Sequence, residues 1–134
     1  MSRNSAIAIG LLIEKFQEFL EYIFEPKKKT NLEELEDLNK LLKSKYDLSI
    51  LEILENDFNI ISLKLKNVEN ETIDKMIVFL FNLKINNKNP KFLSKFDSVK
   101  MNNRLLVLID FMNNKTQKIS LERSNIKNSL LHSS

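Results

Sequence analysis

Met76-Ile77-Val78-Phe79-Leu80-Phe81 is the most apolar stretch of this chain, hydrophobic in every direction. Taken alone it also reads as a buried strand, because β-branched and aromatic residues suit a pleated surface. Working outward turns the reading to helix. Ile73, Met76, Ile77, Leu80 and Leu83 recur at spacings of three and four, and Asn70 can cap the start. A helix apolar on all sides belongs at the centre of a domain. Asn86-Asn87-Lys88-Asn89-Pro90 then reads as a turn. A longer helix follows over about residues 91–113, carrying Phe92, Phe96, Val99, Leu106, Ile109 and Met112. Ser120 caps a last helix that runs through Leu131, with Leu121, Ile126 and Leu130 apolar.

Toward the N-terminus the signals are also local. Residues 56–67 read two ways: Ile61, Leu63 and Leu65 alternate like a strand, whereas Phe58, Ile61 and Leu65 fit a helix. The Asn56-Asp57 start favours the helix. Asp47 or Ser49 can start a short helix with Ile50, Leu51, Ile53 and Leu54, and Ser49 and Glu52 stand in capping-box relation. Thr30 or Asn31, three residues before Glu33 and Glu34, can cap a helix whose Leu35, Leu38 and Leu42 share one face. The first segment, about residues 5–25, is amphipathic through Ile9, Leu12, Ile13, Phe16, Phe19, Leu20 and Ile23. Pro26 and Lys27-Lys28-Lys29 close it.

Composition narrows the fold class. The chain has 134 residues, one glycine and two prolines. A Rossmann or P-loop site needs several glycines, and sandwiches and barrels need many glycine and proline turns. The expectation is an all-α, antiparallel multi-helix domain over residues 1–134, with residues 1–4 and 132–134 as frayed tails. The specific competitor is an α+β fold placing the runs at 60–65, 76–81 and 104–109 in one small sheet.

Residues 71–113, followed by Ile119-Ser120-Leu121-Glu122-Arg123, resemble the end of small bacterial tetratricopeptide-like proteins of unknown function. Leu35-x-x-Leu38-x-x-x-Leu42 is similar in style. The resemblance implies an all-helical chain with one repeat-like helix pair. Large residues such as Phe79 and Phe81 stand where the standard repeat carries small ones. That group has no assigned activity, so the resemblance informs fold more than function.

Several function classes fall away. Cysteine is absent and His132 is the single histidine, so disulfides, thiolate sites, histidine triads and multi-histidine zinc sites cannot form within one chain. The densest carboxylates, Glu33, Glu34, Glu36 and Asp37, sit at a helix start, where negative charge is favourable anyway. Asp74 and Asp110 interrupt apolar runs. An inward carboxylate needs a partner, and Asp110 is expected on a polar face. No catalytic residue, cofactor or metal is expected. The apolar run Ala6–Ile13 lacks a cleavage site and is too short to span a bilayer, so the default location is cytoplasmic.

Charge and apolar faces point to binding. Residues 1–60 hold eight Lys/Arg against twelve Asp/Glu, and residues 61–134 hold thirteen against six. The two halves can attract each other within a chain or across a dimer. The stripe Ile9, Leu12, Phe16, Phe19 and Ile23 is the candidate partner or dimer contact. The resulting expectation is a non-enzymatic protein-interaction or scaffold module, homodimeric, with an unidentified protein partner. The alternative is a weak nucleic-acid-binding regulatory protein using Lys84, Lys88, Lys91 and Lys95, which keep helical spacing across Pro90. With three arginines in the chain, specific readout of nucleic acid is not expected.

Overall fold

Side-chain caps start the short helices. Ser49 Oγ accepts the Glu52 N–H at 3.1 Å and opens α2 (Ile50–Glu55). Asp57 Oδ1 accepts the Asn59 N–H at 2.9 Å and opens α3 (Phe58–Leu65). Both satisfy backbone donors that a helix leaves unpaired at its first turn. The structure, a computed structural model, describes residues 31–85 and 98–132. Within them lie also α1 (Asn31–Tyr46), α4 (Asn70–Ile85), α5 (Ser98–Thr116) and α6 (Leu121–His132). The amphipathic segment at 5–25, the turn at 86–90 and the expected helix start near 91 lie outside the described residues.

The described residues contain helices and no strand, so the fold is all-α and the small-sheet alternative is corrected. The ambiguous run at 58–65 resolves physically. Ile61 and Leu65 are fully buried four residues apart, while Leu63, which strand alternation would place on their face, is 62% exposed. For α4, Ile73 N–H bonds to the Glu69 carbonyl at 3.1 Å, so Glu69 rather than Asn70 takes the cap position.

Helices α4 and α5 pack antiparallel. The end of α4 meets the start of α5 through Lys84 Nζ and Asn102 Oδ1 at 2.9 Å. At the opposite end, Asp74 of α4 and Asn113 of α5 share Arg123. The apolar segment of α4 supplies the centre of the core: Ile73, Met76, Ile77, Phe79 and Leu80 have no exposed surface. Leu38 and Leu42 of α1, Ile53 of α2 and Ile61 of α3 are sealed in the same cluster.

Two apolar positions of the sequence reading are corrected. Helix α5 buries Met101, Leu105, Leu108, Ile109 and Met112, whereas Val99 is 68% exposed. At 100° per residue, Val99 lies across the helix from Met101, on the side away from α4. Leu121, at the first position of α6, is 78% exposed, and the helix instead buries Ile126 and Leu130. With one glycine in the chain, left-handed residues at helix exits are Asp47 (φ 57°) after α1 and Gln117 (φ 55°) after α5. The Asp47 N–H closes on the Lys43 carbonyl at 3.0 Å.

Candidate functional site

The most buried charge in the described residues is Arg123, and its neighbourhood decides whether it is a site or a fastening. Ser120 Oγ accepts the Arg123 N–H at 2.9 Å and fixes the first turn of α6. The guanidinium then reaches inward. Nη1 donates to both Asp74 oxygens at 2.8 and 3.0 Å, Nε to Asn113 Oδ1 at 3.0 Å, and Nη2 to Thr116 Oγ1 at 3.3 Å and the Lys118 carbonyl at 3.0 Å. A guanidinium has five N–H donors. All three guanidinium nitrogens are engaged by this chain's own acceptors, so the group acts as a fastening. Asp74, one of two carboxylates set among apolar residues, thereby has its partner. The other, Asp110, lies on an exposed face and pairs with Lys127 Nζ at 3.2 Å.

Other polar side chains also fasten helices. Lys115 Nζ donates to the Val68 carbonyl at 2.6 Å and the Leu65 carbonyl at 3.3 Å, closing the exit of α3, and burial pulls its pKa below the usual lysine value. Tyr46 at the end of α1 donates its hydroxyl to Glu69. Burial, and then that hydrogen bond, push the phenol well above its ordinary pKa. Arg104 Nη2 donates to the Asn56 carbonyl at 2.6 Å, and its guanidinium lies 5.3 Å from the Phe58 ring centre. Arg104 Nη1 is buried without a partner and closed off from the small groove beside it.

A polar groove of about 560 Å³ opens at the α1 exit, lined by Lys43, Tyr46, Asp47, Lys64 and Glu69 among others. Four of its charged neighbours are already paired, and Lys45 lies 5.5 Å from the Tyr46 ring centre. Lys43 Nζ lies 2.7 Å from Glu52 and 3.3 Å from Asp47, and Lys64 Nζ lies 3.2 Å from Asp47. Lys64 and Lys43 hold the Asp47 carboxyl below its usual pKa, and Lys43 does the same for Glu52. An anion approaching Lys43 or Lys64 would have to displace these carboxylates.

The opening with unmatched chemistry is apolar. Between α4 and α6 runs a groove of about 400 Å³, walled by Val78, Phe81 and Asn82 on one side and Leu121, Glu122, Asn125 and Ile126 on the other. Leu121 at its mouth is 78% exposed, and Ile119, just before α6, is 77% exposed. The sequence marks Leu121 as apolar along with Ile126 and Leu130, without singling it out as surface. The available signal was that Ile119, Leu121 and Ile126 cannot all share one face of a helix starting at Ser120.

Of the residues singled out for binding, Ile9, Leu12, Phe16, Phe19 and Ile23 lie outside the described residues, as do Lys88, Lys91 and Lys95. Lys84 is described and bonds to Asn102 across the α4–α5 pair, so it acts inside the fold. Among the described residues no group of three or more His, Asp or Glu side chains is placed to hold a metal ion. No described helix is long and apolar enough to cross a membrane. Compared with known proteins, the chain matches no family model, no curated protein and no solved structure.

Proposed function

We propose that this chain is a cytoplasmic, non-enzymatic protein-interaction module that takes an amphipathic helix of a protein partner into the α4–α6 groove. The observation that carries the reading is the pairing of this groove with Leu121, a large apolar side chain standing almost free at its mouth. An apolar trough between two helices suits the spaced apolar residues of a third. Among the described residues Glu122 is the one charged residue lining it, which favours a lysine or arginine beside the partner's apolar anchors. The tetratricopeptide-like resemblance of 71–123 fits the same use, since stacked helix pairs bind through such troughs. The nucleic-acid alternative has less support: Lys84, Arg104, Lys115 and Arg123 all donate to acceptors of this chain.

The test is a binding titration between the full chain and a partner identified by capture, with Leu121→Asp and Glu122→Lys variants. Both positions are exposed, so the helical circular dichroism stays unchanged. Leu121→Asp is expected to weaken binding at least about tenfold, equivalent to about 1.4 kcal/mol, and Glu122→Lys to weaken it less. Binding that ignores both variants overturns the groove.

A further inference from the structure

Helix α6 holds to the fold by less apolar surface than α4, the helix it shares a groove with. From its length it buries two apolar side chains, Ile126 and Leu130, together with Arg123, while Leu121 and Leu131 face outward. Helix α4 buries five apolar side chains in a single continuous face. Apolar burial sets how strongly a segment resists local opening. The Arg123 clasp adds specificity rather than much net attraction, because burying the guanidinium forfeits its hydration and undocking restores it.

The clasp also gathers what would move together. Two acceptors, Thr116 Oγ1 and the Lys118 carbonyl, belong to the exit of α5 and the linker itself. The other two, Asp74 and Asn113, belong to α4 and α5. Release of one guanidinium therefore frees helix and linker in a single step, at a junction where Gln117 already sits in the left-handed region.

From this geometry we infer that α6 is a detachable strap. It undocks and redocks as one unit with the 117–120 linker while α1–α5 stay folded, and Arg123 is its latch. Undocking removes one wall of the groove and uncovers the seat of Ile126 beside Val78 and Phe81. As a gate on that groove, the strap rests on the interaction reading. As a motion of α6 it does not, and a test without any partner separates the two.

That test is native-state amide hydrogen exchange on the full chain, followed through low denaturant concentrations. Mid-helix amides of α6, about residues 125–130, are expected to exchange together and at least about tenfold faster than mid-helix amides of α4 and α5. Arg123→Lys has at most three donors for the same acceptors. It should speed α6 exchange about tenfold further and leave α4 and α5 unchanged, with Asp74→Asn acting in the same direction. The idea is overturned if α6 amides exchange at the rate of the slowest α4 and α5 amides. It is also overturned if the variants shift all three helices in parallel. Should a variant fail to fold, the wild-type comparison alone decides.

Discussion

Phe79 and Val99 are both large apolar residues on long helices, and the structure assigns them opposite roles. Phe79 is fully buried in the middle of α4, and Val99 is two-thirds exposed on the outer side of α5. Phe79→Ala removes a ring from a packed interior that cannot collapse around the gap, and is expected to cost roughly 3–5 kcal/mol. Val99→Ala should stay within about 0.5 kcal/mol. Denaturant melts of the two variants check this, and similar midpoints would mean the burial pattern is wrong. Arg123 and Asp74 illustrate the converse at the same scale. Arg123 is the expensive group, with a side chain 5% exposed, and Asp74, at 31%, supplies two of its bonds from the edge of the core.

At the scale of elements, the helices are started by local hydrogen bonds and fixed in place by distant ones. The Tyr46–Glu69 contact ties the exit of α1 to the cap of α4, and its pH dependence has a definite sign. The folded protein raises the phenol's pKa, through burial and the Glu69 hydrogen bond. The associated stabilisation is therefore fully present below the unfolded value of about 10 and is lost as pH rises above it. In alkaline titration of a Tyr22→Phe variant, which leaves Tyr46 as the single phenol, phenolate absorbance should rise in step with loss of helical signal. Tyr46→Phe should shift the alkaline midpoint upward. A Tyr46 that ionises near pH 10 in the folded state would contradict the burial of its hydroxyl. At the same exit, the Lys43–Asp47–Glu52–Lys64 network is exposed, so high salt weakens it.

For the whole molecule, the stripe of Ile9, Leu12, Phe16, Phe19 and Ile23 bears on association. We propose that it contributes to an isologous dimer, the commonest oligomer geometry. Sedimentation of the full chain at tens of micromolar is then expected to give a dimer, and Phe16→Glu to shift it toward monomer. A folded monomer in the unaltered chain, with residues 9–23 protected from exchange, would show that the stripe closes the protein's own core instead.

The caps at Ser49, Asp57 and Ser120 and the three-to-four spacing through Ile73–Leu80 were legible in the sequence, and they favoured an all-α chain over its small-sheet competitor. Helix starts and helical periodicity arise from groups within a few residues of one another, so their cause is local. Packing between helices set which side of each one faces a neighbour. That choice buried Met101 rather than Val99, and left Leu121 at the mouth of a groove. It also joined Arg123 to Asp74 across 49 residues of chain. Spacing shows that a helix has faces; only the helix packed against it determines which face loses its water.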